Sequence, residues 1–341
     1  MVGGVTNETM LATVADAIET LCCVEIRSAG ACPGAVRPLQ LAARELLGGS
    51  PYLAAARTLA KVTRPGDTVI VATGFPAAEV MPRGETDGPP GAAALARALS
   101  LGLGAHPLVL GELVTLEPIR AACQTIGLDE ACPGAWPADR PAFVLDAFPN
   151  NDTAVERAEE LLSWLRPKAI VVTEKPGPNS LGIAHRVGGL PVGPGRARIE
   201  VLLERARHAG IPTIGIGDNG NEAGLGAVAD ATRLCQLYGA SCRCPCGGGI
   251  AAADHSDITV VGSVSNWACY GIAACLGVLL GRPEMVHSGA TEERVIDACV
   301  AAGAVDGFGA HGSLVDGIPA RLNGYVVELL AAIVRAALLD L

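Results

Sequence analysis

Short apolar runs recur along the chain, each bounded by glycine, proline or charge: 68–74, 106–110, 141–148, 168–174, 211–216 and 257–262. Their unbroken hydrophobicity over so few residues predicts strands buried on both faces. Between them lie segments whose apolar positions follow a helical period: 51–63, 92–103, 153–165, 196–209, an apolar stretch after Ser263, and a last helix from Asn323 to Leu339. A first helix is expected over 5–28, started by Thr6-Asn-Glu-Thr, with Leu11, Val14, Ile18, Leu21 and Cys22 near one face. The stretch through Ala31-Cys-Pro-Gly-Ala reads as a connection. Strands alternating with helices predict an α/β fold, three-layer, with a mostly parallel sheet flanked by helices. No repeat or low-complexity linker divides the chain, so residues 1–341 read as a single domain, with 1–50 as a helical lead-in.

Composition narrows the partners. Hydrophobic residues make up 50% of the chain but aromatics only 3%, so the core must be built mostly from Ala, Val, Leu and Ile. With 43 glycines and 23 prolines, sharp loops between short elements are expected. A net charge of −10 argues against nucleic acid, whose phosphates need a basic face. The run 267–280 is too short to span a bilayer, the C-terminal apolar segment carries Glu328, Arg335 and Asp340, and the N-terminus has no basic or secretory apolar run. A cytoplasmic protein without membrane contact is expected, with a homo-oligomer compatible.

The candidate chemistry sits in the loops that follow the apolar runs. After 211–216 comes Gly217-Asp-Asn-Gly-Asn-Glu-Ala-Gly-Leu-Gly226, which sets Asp218, Asn219, Asn221 and Glu222 among glycines. Gly215, Gly217 and Gly220 satisfy G-x-G-x-x-G, but Asp218 and Glu222 would repel a pyrophosphate and Gly224 and Gly226 oppose an immediate helix, so no nucleotide is expected. The blander alternative is a turn whose acids cap a helix. A second cluster, Glu85, Thr86 and Asp87, follows the 68–74 run; Gly-Pro-Pro-Gly separates it from the helix at 92, which favours a site over a cap. A third loop, Glu174-Lys-Pro-Gly-Pro-Asn-Ser180, offers Lys175 to neutralise a carboxylate or accept a proton, or simply as a solvated lysine. Ser265 and Asn266 follow the 257–262 run, and Asp306 opens a glycine-rich loop.

Of the 12 cysteines, Cys123, Cys269, Cys275 and Cys299 sit singly in apolar contexts and read as core thiols. Cys242, Cys244 and Cys246 alternate instead. Zinc sites usually show Cys-x-x-Cys pairs, and no second pair follows, so a metal site, a redox-active loop and an ordinary loop all stay open.

Taken together and in order, Glu85-Thr-Asp-Gly-Pro-Pro-Gly, Glu174-Lys-Pro-Gly-x-Asn179, Gly217-Asp-x-Gly-Asn-Glu-x-Gly-x-Gly226 and Val264-Ser-Asn-Trp267 resemble the D-glutamate cyclase family, over most of the chain from about residue 50. The chain departs from that pattern at Asn219, where glycine is expected, and at Leu225, where methionine is expected. The resemblance implies a hydro-lyase that dehydrates D-glutamate, or a close analogue, to 5-oxo-D-proline. It implies catalytic Glu85, Asp87, Asp218, Glu222 and Lys175. Thr86, Glu174, Asn179, Asn221, Ser265, Asn266 and Asp306 would bind substrate. A divalent cation, magnesium or manganese, on Asp218 and Glu222 is compatible with hard oxygen ligands. Alternatives are a hydrolase of a related lactam or cyclic amide, and a non-catalytic binder of acidic amino acids.

Overall fold

The protein is described here by a computed structural model, covering residues 7–26, 33–137 and 139–340. The helix expected over 5–28 ends at Cys22; positions 5–6 and 27–28, and Ala31 and Cys32 of the connection after it, lie outside the described residues.

Seven parallel strands form the sheet: β1 (Thr68–Ala72), β2 (His106–Gly111), β3 (Asp129–Glu130), β4 (Ala142–Ala147), β5 (Ala169–Thr173), β6 (Thr213–Gly217) and β7 (Ile258–Val261). All six expected strands are present; only the two-residue β3 at the edge was not anticipated. From edge to edge the order is β3-β4-β2-β1-β5-β6-β7. The chain therefore builds outward from β1 through β2 and β4, then returns to the other side of β1 for β5, β6 and β7. Ile70 of β1 is paired with Leu108 of β2 on one side and Ile170 of β5 on the other. In doubly wound sheets the crevice for a ligand opens where the winding reverses, at the carboxyl ends of the two central strands. Here those strands are β1 and β5.

Helices cover both faces: α1 (Asn7–Cys22), α2 (Val36–Leu47), α3 (Pro51–Val62), α4 (Pro89–Leu103), α5 (Leu116–Thr125), α6 (Ala154–Leu165), α7 (Ile199–His208), α8 (Ala229–Cys235), α9 (Ser265–Leu280), α10 (Gly289–Ala301) and α11 (Ala320–Asp340). Strand side chains alternate between the faces, as the two-residue pleat requires. Val69, Val71, Val109 and Val171 join the larger core beneath α4 and α9, whereas Ile70, Ala72, Ile170 and Val172 pack under α6 and α7. On the first face α1, α3 and α11 pack against α9, and α10 packs against α5 and α11. The scarcity of aromatics is met by close helix approach. A side-chain carbon at Gly271 of α9 would fall 2.5 Å from the Tyr52 ring of α3.

Two expectations need correcting. The Gly88-Pro-Pro-Gly segment is not a spacer before a helix at 92, because α4 begins at Pro89 with proline in its first turn, where a missing N–H costs nothing. Helices α2, α5, α8 and α10 were not anticipated as separate elements, and Pro118 lies in the first turn of α5. Among the described residues, α11 is long and apolar enough to cross a membrane. Its Val327, Leu330 and Val334 are nevertheless fully buried, and Trp267 of α9 donates its indole N–H to Asn323 of α11 at 2.7 Å.

Candidate active site

The loops leaving β1, β5, β6 and β7 converge on one cleft at the carboxyl edge of the sheet. The glycines in these loops permit approaches that no other residue allows. At Gly217 a side-chain carbon would sit 2.5 Å from a Glu222 oxygen, and at Gly88 (φ 103°) it would sit 2.6 Å from the Thr73 hydroxyl. The β5 and β6 loops are zipped together: Gly177 N–H donates to Asn221 and Ala223 N–H to Lys175.

Glu85, Glu174, Arg186, Asp218, Asn221 and Asp316 line the cleft. Acids from loops far apart in sequence thus share one cavity. One oxygen from each of Asp87, Asp218 and Asp316 lies within 4.8 Å of the others, and the same holds for Glu174, Asp218 and Glu222. Crowding has the expected electrical consequence. Burial pushes the Glu85 carboxyl well above the usual carboxylate range, and Asp316, Asp87, Asp218 and Asp306 push it further. Burial also raises Glu174, reinforced by Asp218, Glu222 and Glu85. Both are therefore favoured in the protonated form. The backbone is strained at this spot: Glu174 (φ 43°) and Asp316 (φ 51°) are two of the three non-glycine residues with positive φ among the described residues.

Several expected site residues hold the cleft together instead of facing into it. Glu222 accepts the N–H groups of Asp218, Asn219 and Gly220 at 3.0, 2.9 and 2.7 Å. This concave set of amides, the kind that cradles an anion, is filled by the chain's own carboxylate. Asp87 accepts from the backbone N–H of Gly88, Ser265 and Asn266 at 3.0, 2.9 and 2.8 Å. Asn266 reciprocates, its carbonyl oxygen accepting the N–H of Gly88 and Gly91 at 2.9 and 2.7 Å. Asp87 thus caps the start of α9 while Asn266 caps the start of α4. Ser265 donates its hydroxyl to Glu174 at 2.6 Å. Thr86 donates to the Leu314 carbonyl, and Asp306 accepts from Phe308 and Gly317, which fixes the 306–317 loop.

Two candidates are not brought to the cleft. Lys175 is fully buried in an ion pair with Glu112, whose carboxylate also accepts the Ala197 N–H at 2.8 Å; burial lowers the lysine pKa and Glu112 opposes the shift. It is neither a solvated lysine nor a free partner for a substrate carboxylate. Asn179 turns away as well, donating to the Gly249 carbonyl at 2.8 Å and accepting from Leu181 and Ile183.

Sequence reasoning missed Arg186, Asp316 and Glu112. Arg186 lies in a stretch with no pattern around it, but Glu112 comes just after the apolar run 106–110, and Asp316-Gly317 is a turn signal between short apolar pairs. It forms the tip of a two-stranded hairpin, β8 (Leu314–Val315) and β9 (Ile318–Pro319). The Asn221 side-chain amide donates to the His185 carbonyl at 2.9 Å, while its Oδ1 is buried without a hydrogen-bond partner among the described residues. An unmet acceptor beside carboxylates suits a cation or an ammonium group. The oxygen set fits a hard divalent cation, with Asp218 common to both triads. Glu222 and Asp87 are the poorer ligands because backbone amides already use both oxygens of each.

Residues 35–331 match the family model described as D-glutamate cyclase-like, C-terminal. The chain is also similar to the Homo sapiens protein named D-glutamate cyclase, mitochondrial, at 27% identity over 225 residues, which covers 62% of this chain and 33% of that protein. The match thus spans about a third of the relative's length.

Proposed function

The chain belongs to the D-glutamate cyclase-like family, and on that premise we propose that it is a hydro-lyase closing D-glutamate, or a close analogue, to 5-oxo-D-proline. The observation that carries this reading is the pairing, in one cleft, of raised carboxylic acids at Glu85 and Glu174 with the Asp218 carboxylate.

Lactam formation makes a bond from the amine nitrogen to the distal carboxyl carbon and breaks a carbon–oxygen bond. Two protons leave nitrogen and two arrive on the departing oxygen, so the reaction is proton-neutral but needs groups that both take and give. In this proposal Asp218 takes a proton from the ammonium, with the unmet Asn221 oxygen orienting it. Glu85 protonates the distal carboxyl and so makes it the better electrophile, and as a carboxylate it then takes the second proton from nitrogen after the attack. Glu174, poised by the Ser265 hydroxyl, passes the second proton toward the leaving hydroxyl. Arg186 at the cleft wall takes over the part expected of Lys175 and binds the α-carboxylate. Asp87, Glu222, Asn266, Thr86 and Asp306 act through the backbone they hold. A divalent cation, magnesium or manganese, on Asp218 with Asp316, leaving Glu174 as the acid, would supply Lewis-acid polarisation of the carboxyl when bound. Holding the substrate folded contributes as well, since ring closure gains from fixed geometry.

The test is turnover. Purified protein incubated with D-glutamate, with and without magnesium or manganese, should yield 5-oxoproline by proton NMR. Glu85→Gln and Asp218→Asn should each lower the rate by roughly 10²-fold or more while circular dichroism is unchanged. Saturable D-glutamate binding with no turnover would replace the enzyme by a binding protein. A cytoplasmic location stays part of the proposal, whereas the human relative is mitochondrial by its name; cell fractionation decides it.

A further inference from the structure

The alternating cysteines gain a fourth partner that the sequence hides. Residues 241–247 alternate between exposed and half-buried positions, which turns Cys242, Cys244 and Cys246 to one side. Facing them is His185, fully buried, from a loop 59 residues before Cys244. His185 Nε2 lies 3.3 Å from Cys244 Sγ and 3.7 Å from Cys246 Sγ. Cys242 Sγ lies 3.5 Å from Cys244 Sγ and 3.2 Å from Cys246 Sγ. All four ligand atoms fall within 4.8 Å of one another. A disulfide would bring two sulfurs to about 2.05 Å, and every cysteine among the described residues is unbridged. A zinc tetrahedron, with bonds of about 2.3 Å to sulfur and about 2.0 Å to nitrogen, has sulfur–sulfur edges near 3.8 Å and nitrogen–sulfur edges near 3.6 Å. Three of the four separations lie within about 0.3 Å of these edges, and the Cys242–Cys246 pair is about 0.6 Å shorter.

We propose that His185, Cys242, Cys244 and Cys246 form a closed, structural zinc site. The surrounding backbone is arranged as a thiolate site needs. Gly248 N–H points at Cys246 Sγ at 3.5 Å, and the Asn179 amide approaches the same sulfur at 3.6 Å while holding the Gly249 carbonyl. Gly249 (φ 76°) lets the loop close on Gly239, whose carbonyl would lie 2.1 Å from any side-chain carbon at 249. Arg243 N–H donates to Gly189, which ties the cysteine loop to the 184–192 hairpin that carries His185. Three thiols and one imidazole are a soft tetrahedral donor set that favours zinc over the hard cations suited to the acidic cleft.

The site also adjoins the cleft. Arg186 follows the His185 ligand in sequence, and Asn221, which lines the cleft, donates to the His185 carbonyl. The zinc therefore fixes the wall that presents Arg186 and Asn221; only this coupling rests on the proposed reaction, and the metal site does not.

Metal content tests the site without recourse to activity. Protein purified under reducing conditions without chelator should hold one zinc per chain by elemental analysis. After chelation, added cobalt(II) should produce the intense visible bands of a tetrahedral thiolate complex, bleached by zinc. Cys244→Ser and His185→Gln should each weaken zinc binding by about 10-fold or more, and chelation should expose three additional thiols to a thiol reagent. Cys132→Ser, at an exposed cysteine elsewhere, should change none of these. Loss of zinc with retention of the far-ultraviolet circular dichroism shows that the variants lose the site and not the fold. Should His185→Gln fail to fold, cobalt titration of the parent still decides. Substoichiometric zinc together with a featureless cobalt spectrum overturns the proposal, as does a disulfide within the loop of freshly isolated protein.

Discussion

At the scale of single residues the decisive facts are partners that a sequence does not show. Lys175 follows Glu174 in the chain yet its ammonium meets Glu112 from the loop after β2. A buried pair of this kind is costly to break on one side only. Lys175→Met should destabilise the protein by about 3–5 kcal/mol, and Lys175→Met with Glu112→Leu should recover much of that loss. Urea unfolding of the two variants measures it; a single variant as stable as the parent would mean the ion pair contributes little. Glu85 supplies a second prediction through its raised pKa. Between about pH 4.5 and its folded value, the folded chain binds more protons at this site than the unfolded chain, so its contribution makes stability fall as pH rises through that window. In chelator-treated protein, Glu85→Gln should flatten that decline above about pH 4.5. An unchanged slope would show that Glu85 is not held as an acid. Sequence reasoning located both glutamates of the cleft because they stand among loop glycines and prolines. It misplaced Lys175 and Asn179 because which way a loop side chain turns depends on segments far along the chain.

Among elements, strands were easier to read than helices. Runs such as 168–174 are apolar throughout, and a strand buried under helices on both faces has no polar side to blur its signal. Helices α5 and α10 have charged outer faces, and their stripe of buried positions is thin: Ile119, Ala122 and Cys123 in one, Val295, Ile296 and Cys299 in the other. The exchange of caps between α4 and α9 was legible only as residues of interest. Asp87, Ser265 and Asn266 stood out, but whether they face a ligand or each other is a matter of tertiary placement. Asp87→Ala removes the acceptor for the first amides of α9 and should cost about 1–3 kcal/mol. Asp87→Asn, keeping one acceptor oxygen, should cost less. Equal losses in the two variants would mean that charge, not capping, is what this residue provides.

Over the whole molecule, the alternating pattern was enough to specify a parallel three-layer fold, yet not the strand order, because adjacency in a sheet is a property of pairs of strands and not of any one of them. That order is what brings the acids together, since the winding reverses between β1 and β5 and leaves their loops side by side. The zinc-type cluster was half visible for a similar reason: three of its members are contiguous, and the fourth arrives by the return of a distant hairpin. The crossed caps have a consequence for how the two portions of the chain depend on each other. The turn at 150–153 is exposed and separates β1, α4 and Asp87 from α9 and Asn266, so a nick there leaves each fragment holding the stopper for the other's helix. Fragments 1–150 and 151–341, made separately, should lack fixed tertiary structure, and mixing them should restore the near-ultraviolet dichroism of the intact protein. A fragment already fully ordered alone would show that the molecule is two self-sufficient halves. Reconstitution only on mixing would make it a split protein whose pieces recognise one another through the starts of two helices.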